Sequence, residues 1–514
     1  MTRLKKALCL LVFVLTLGPL ATPCLALSVS EEKELGEKYM DYLQQHMQFI
    51  EDPVIVEPVR RIGAILLQGV PAQPFEFRFF VANESVYNAF AGPGGFVVIN
   101  AGLIEALTNE DQLAGIMAHE IAHVTCRHIS EKIDKNKKVS AASAVGMIAS
   151  LIAGFPAGAV LSSAGATSTM LAYSRADESQ ADEIGVQYLL KAGYSGQGLV
   201  EAMQVMRSKT WFGKDQIPDY LSTHPAVEDR FVNLNTWLQA NPQAQHVKRQ
   251  IDPYPYNKMR IRLSALYGDP DFALDKLAKS VQNNPDLPLL HYGYGTILAR
   301  TNNRSLAVEE LKKALALSPF DPDILTELGK AQFEAGQVSE ALASLTSATE
   351  AAPRGVSGFL WLGRVQMESG NLENAARSLE KAREINNKDD DIYYYLGQVY
   401  GRMNTLDKAH YFLGVYHMRR HDTRNADFHL KKALSLAANN PELEEKIKNA
   451  LEKMADRGGK KKGKDGDNKD KDQEKDPDAS FNPLYGWGSS ITWRVEERQK
   501  TGFGPIDWRS KEFK

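Results

Sequence analysis

The sequence predicts a mainly α-helical chain: an α+β domain with one small sheet, followed by a solenoid of paired helices. Three observations carry that expectation. Glycines recur at 34-residue intervals in the second half of the chain. A long apolar helical pattern begins at about Asn109, and two short runs of β-formers, Phe75–Ala82 and Phe96–Asn100, precede it. At 514 residues the chain is too long for one core and suits two to four domains of roughly 100–200 residues.

Composition narrows the class without naming a chemistry. Hydrophobic residues make up 43% and charged residues 24%, as in ordinary globular proteins. The net charge of −3 offers no global field for nucleic acid. Three cysteines exclude a disulfide-dense scaffold and any four-cysteine zinc module.

Residues 1–26 read as a secretory signal peptide. Arg3, Lys5 and Lys6 precede an apolar stretch to about Leu20, too short for a membrane span, and small residues lead to a cut after Ala26. Cleavage removes Cys9 and Cys24 and leaves Cys126 alone, so the exported chain forms no internal disulfide.

Residues 27–245 alternate helical patterns with the two strand runs, and Ala91-Gly92-Pro93-Gly94-Gly95 is a turn signal before Phe96. Val139–Ser174 holds 36 residues without a charge. Its Ala, Gly and Ser content and Pro156 favour a packed helical hairpin, with a membrane-contacting hairpin as the alternative.

From 254 to 450 the chain repeats. Gly295, Gly329, Gly363 and Gly397 form one column at a period of 34. Ala307, Ala341, Ala375 and Ala409 form another, and Leu311, Leu345, Leu379 and Leu413 a third. Gly414, Ala426, Leu430 and Ala433 restart the pattern half a period late, which suggests one helix serving two units. These columns resemble the tetratricopeptide repeat, whose two antiparallel helices approach closely where a small residue permits. Residues 456–478 carry eight basic, eight acidic and no hydrophobic residues and read as a disordered spacer. The tail 479–514 holds half of the tryptophans, Trp487, Trp493 and Trp508, and suits docking on the solenoid or on a partner.

The chemistry is expected at His119-Glu120-Ile121-Ala122-His123, an H-E-x-x-H inside the apolar helical pattern. Two histidines four apart lie one turn apart on one helix face and can share one Zn²⁺. Glu120 can take the proton of an attacking water and return it to the leaving amine. A third ligand is required, and Tyr173-Ser174-Arg175-Ala176-Asp177-Glu178-Ser179-Gln180-Ala181-Asp182 supplies candidates. Glu178 and Asp182 share a face, one suited to the metal and the other to holding a ligand imidazole.

H-E-x-x-H followed by S-R-x-x-E-x-x-A-D, with Asn88–Gly95 upstream, resembles the HtpX and CAAX-prenyl-protease-like zinc peptidases over about residues 28–240. The resemblance implies a zincin-like α+β metallopeptidase domain with a small sheet, followed by an α-solenoid of tetratricopeptide repeats. It implies Zn²⁺ held by His119, His123 and Glu178, with Asp182 behind a ligand histidine. It also implies that the strand Phe96, Val97, Val98, Ile99 and Asn100 lines the cleft and pairs with extended substrate. His224, in Ser222-Thr223-His224-Pro225, either polarises the scissile carbonyl or fills a fourth zinc position; a turn-stabilising role is the plain alternative.

Leader, peptidase and repeats together imply a periplasmic endopeptidase, placed at or near the outer membrane. Its implied partners are unfolded or misassembled outer-membrane proteins and their assembly machinery, with peripheral membrane contact left open. The alternatives are a repeat-based chaperone or adaptor with latent peptidase activity, and a membrane-integrated peptidase. Cys126 reads as a packed side chain, His128 as a surface residue about 140° around the helix from His123, and His410, His417, His421 and His429 as exposed solenoid positions.

Overall fold

A computed structural model describes residues 28–135, 173–211, 224–246 and 249–462. The expected leader, all but the last two residues of Val139–Ser174, and the tail 479–514 lie outside the described residues. Among the described residues no helix is long and apolar enough to cross a membrane. The chain forms two compact units, Met1–Leu263 and Ser264–Lys514. The mainly helical architecture with one small sheet agrees with the expectation from sequence.

The first unit opens with α1 (Val29–His46), started by a capping box between Ser28 and Glu31. After β1 (Phe49–Ile50), Asp52 caps α2 (Pro53–Leu67), with Pro53 at the first turn where its missing N–H costs nothing. Three further strands follow, β2 (Arg78–Ala82), β3 (Ala89–Gly92) and β4 (Phe96–Asn100). Gly94 and Gly95 turn β3 into β4 at φ of 77° and 93°, a region that side chains disfavour.

The sheet order is β1-β2-β4-β3. β4 pairs parallel with β2 (Phe79 opposite Val97) and antiparallel with β3 (Ala91 opposite Val97). This corrects the expectation for Phe96–Asn100. Both edges of that strand are taken, by β2 and β3, so no substrate can pair with it. The sheet's edge beside it is β3, whose Ala91 packs with Val124 of the central helix. Local β-propensity marks a strand but not its place in the sheet.

The remaining helices of this unit are α3 (Ala101–Ala106), α4 (Glu110–Thr125), α5 (His128–Lys135), α6 (Arg175–Lys191), α7 (Gln197–Trp211) and α8 (Val227–Ala240). The helix α9 (Pro253–Tyr267) contains the division between the units; its Arg262 pairs with Asp52 at 2.7 Å within the first. Helix α4 is buried on nearly every side, from Leu113 to Val124.

The second unit is a run of antiparallel helices. It comprises α10 (Pro270–Asn283), α11 (Pro288–Arg300), α12 (Arg304–Leu317), α13 (Pro322–Glu334), α14 (Val338–Ala351) and α15 (Val356–Glu368). There follow α16 (Leu372–Ile385), α17 (Asp390–Arg402), α18 (Leu406–Arg419), α19 (Thr423–Leu436) and α20 (Pro441–Lys462). The glycine column sits under the leucine column: a Cβ on Gly295, Gly329, Gly363 or Gly397 would lie 2.5–2.7 Å from Leu311, Leu345, Leu379 or Leu413. Gly414 meets Leu430 in the same way, so α18 packs against both α17 and α19 and serves two pairs.

That double role corrects the expectation of exposed histidines. His410 and His429 are buried with Nδ1 atoms 2.9 Å apart, and His417 stacks on His429; only His421 is exposed. Helix α20 also runs through residues 456–462, the start of the stretch expected to be a disordered spacer. A helix already nucleated extends at one hydrogen bond per residue. Residues 463–478 lie outside the described residues.

Candidate active site

Helix α4 begins at Asn109, whose side chain caps Gln112. One helical turn separates His119 from His123, and their Nε2 atoms lie 3.0 Å apart. Helix α6 begins with a capping box between Ser174 and Asp177, which places Glu178 and Asp182 on the face toward α4. Gly185 makes that approach close, since a Cβ there would lie 3.1 Å from the His119 nitrogen. His224 enters from the turn before α8, where Ala226 takes a left-handed conformation with φ of 62°.

Donor atoms of His119, His123, Glu178 and His224 all lie within 4.8 Å of one another, and all four residues are buried. Glu178 Oε1 is 3.3 Å from His123 Nε2 and 3.1 Å from His224 Nδ1, which is 3.4 Å from His119 Nε2. A tetrahedron with metal–ligand bonds of about 2.0–2.1 Å has edges of roughly 3.3–3.4 Å, so these spacings suit Zn²⁺. Both Glu120 carboxylate oxygens are buried without a hydrogen-bond partner, with Oε1 3.6 Å from His224 Nε2. An unpartnered carboxylate beside four convergent donors fits a site built for a metal and a proton donor.

The electrostatics follow from burial and pairing. Burial pushes the Glu120 carboxyl up. Burial would raise Glu178 too, but His224 and Arg230 hold it well below the ordinary carboxylate range. Burial drives the His123 imidazole well down, which keeps it neutral and ready to ligate. For His119, burial and Arg230 push downward, yet Asp182 and Glu178 outweigh them and lift it to about 9.

Asp182 Oδ1 accepts the His119 Nδ1–H at 2.8 Å. Three neighbours escaped the sequence reading. Arg230 donates to both Asp182 oxygens and to Glu178 Oε2. Its trace was available, because Arg230 shares the buried stripe of α8 with Val227, Leu234 and Leu238, where a lone charge implies a partner. Tyr173 lies against His123, ring centroids 3.8 Å apart, with its buried hydroxyl unpartnered. The third is His128, expected at the surface but buried, with Nδ1 2.9 Å from His123 Nδ1. The 140° reading assumed a continuous helix, whereas α4 stops at Thr125 and Arg127 turns left-handed with φ of 55°. Cys126 is half-buried and stands outside the donor cluster.

Residues 60–238 match peptidase family M48, while 305–356 and 363–404 match tetratricopeptide repeats. The beta-barrel assembly-enhancing protease of Yersinia pestis is 27% identical over 321 residues, covering 60% of this chain and 64% of that protein. The putative beta-barrel assembly-enhancing protease of Vibrio cholerae is 31% identical over 49% of this chain and 53% of its own length. The mitochondrial metalloendopeptidase OMA1 of Arabidopsis thaliana is 32% identical over 29% of each chain. The chain thus spans less than two thirds of the length of these relatives. Every donor of the buried cluster falls inside the matched peptidase segment, so this chain carries a metallopeptidase domain of family M48 followed by tetratricopeptide repeats.

Proposed function

We propose that this chain is a zinc-dependent endopeptidase of the periplasm, acting in quality control and assembly of outer-membrane proteins. The observation that carries the catalytic reading is the buried set His119, His123, Glu178 and His224 with the unpartnered Glu120 beside it. The leader-like N-terminus supports the compartment, and the similarity to bacterial beta-barrel assembly-enhancing proteases supports the substrate class. The repeats recruit substrates or the assembly machinery, as solenoid surfaces do.

His119, His123 and Glu178 would hold the metal, which when bound would supply Lewis acidity toward water and a peptide carbonyl. Asp182 keeps the His119 proton on Nδ1, leaving Nε2 free to ligate. Glu120 takes the proton of the attacking water and delivers it to the leaving nitrogen. Extended substrate pairs along β3 rather than along Phe96–Asn100. The Asn100 N–H donates to the Asn88 carbonyl, so by alternation the peptide groups of Ala89 and Ala91 face away from β4, toward the outer side of the sheet.

His224 has its Nδ1 among the ligand atoms, which favours a fourth-ligand role that closes the site at rest. That observation also supports a second reading, an adaptor with latent peptidase activity. The test is zinc content and casein cleavage by the purified chain, comparing wild type with Glu120→Gln. Zinc bound by both and cleavage lost only in the variant upholds the enzyme. A variant that supports outer-membrane assembly as well as wild type does would favour the adaptor.

A further inference from the structure

The two histidines of the H-E-x-x-H helix are held from behind by different chemistry. His119 donates its Nδ1–H to the Asp182 carboxylate. His123 instead faces a third imidazole, His128, whose far nitrogen Nε2 lies 3.0 Å from Gln180 Oε1. Two Nδ1 atoms 2.9 Å apart can share only one proton, so one ring donates and the other accepts.

Gln180 decides the direction. Its carbonyl oxygen accepts, so His128 must carry a proton on Nε2. With a single ring proton, on Nε2, His128 presents a bare Nδ1, and His123 supplies the shared proton from its own Nδ1. His123 Nε2 is left with a free lone pair, pointing at His119 Nε2 and Glu178 Oε1. The opposite arrangement would set Nε2 of His128 against another acceptor and put a proton on the ligating nitrogen of His123.

The chain strains to make this contact. Arg127 adopts φ of 55°, a left-handed conformation that a residue with a side chain disfavours. Its guanidinium is anchored by the buried Glu32 at 2.7 and 2.8 Å. The turn ends α4 and swings His128 back beneath His123.

We propose that His128 is a positioning residue that, with Gln180, fixes the proton of His123 on Nδ1 and so presents its Nε2 to the metal. The proposal rests on the metallopeptidase reading above. The test is zinc affinity of the full chain by chelator competition, with melting of the metal-free protein measured alongside. His128→Phe should weaken zinc about ten- to a hundredfold. His128→Asn should bind within a few-fold of wild type, because an amide oxygen can accept the same Nδ1–H. Gln180→Leu should show an intermediate loss, since Gln180 sits at the exposed end of the relay; it carries the test if His128→Phe does not fold. Zinc affinity within twofold of wild type in both His128→Phe and Gln180→Leu overturns the proposal. So does an Asn variant as weak as the Phe variant. Absence of zinc from the wild type would overturn the metallopeptidase reading instead, a separately visible failure.

Discussion

Arg230 grips Asp182 through two parallel hydrogen bonds of 2.7 Å, Nε to Oδ2 and Nη2 to Oδ1. The same guanidinium donates to Glu178, so one buried cation holds both the carboxylate proposed as a metal ligand and the carboxylate bonded to His119. Arg230→Met should therefore strand two buried anions and destabilise the metal-free chain by about 3–5 kcal/mol. The zinc-loaded chain should lose less, because the metal's charge takes over at Glu178. Urea denaturation with and without zinc reads both values.

Glu120 sits buried with no hydrogen-bond partner for either oxygen, and burial raises its pKa. Removing its charge should stabilise the metal-free fold while it removes the proton carrier. Glu120→Gln is expected to melt higher than wild type and to lose about 10²–10⁴-fold in turnover. A lower melting temperature would show that the carboxylate has a structural partner.

If His224 closes the zinc site at rest, its removal frees a coordination position without costing a required ligand. His224→Ala should retain zinc through His119, His123 and Glu178 and cleave casein faster than wild type. Zinc loss in this variant alone would make His224 an essential ligand.

Burial depresses both His410 and His429 to about 4 against an ordinary value near 6.5. Unfolded histidine takes up protons first as pH falls, so their stabilising contribution is whole above about 6.5 and drains away toward 4. Lys432 adds to the depression at His410, while Asp422 opposes it at His429. Hydrogen-exchange protection over α18 and α19, corrected for the intrinsic pH dependence of exchange, should fall between pH 7.5 and 4.5, and His429→Gln should blunt that response.

Two solenoid glycines separate space from backbone strain. Gly363→Ala puts a methyl 2.6 Å from Leu379 Cγ and should cost about 1–3 kcal/mol through overpacking. Gly336→Ala meets nothing within 4 Å, but its φ is 78°. Its cost should stay at roughly 1–2 kcal/mol, the left-handed penalty alone. Thermal melts of the two variants give the comparison.

The parts legible in the sequence were those set by one helix at a time. His119 and His123 need only a single turn of α4, and Glu178 and Asp182 a single turn of α6. The repeat columns were legible because each Gly–Leu contact recurs at the same offset. The buried His128 was not, because one left-handed residue breaks the helical geometry on which its placement depended. The inner position of Phe96–Asn100 was also hidden, since strand order belongs to the sheet rather than to any strand. The half-period restart at Gly414 marks α18 as a shared helix, but not which of its polar side chains the second flank covers, so the burial of His410 and His429 was hidden.

Helix α18, which packs through Leu413 under Gly397 and through Gly414 over Leu430, changes how the array comes apart. In a regular solenoid each two-helix unit meets its neighbours at a seam and can fray singly. Here no seam falls between α17 and α19, because removing either leaves α18 with a bare flank. The end of the array, where α20 packs on α19, should open as one block from α17 to α20, an all-or-none step rather than the gradual loss of single repeats.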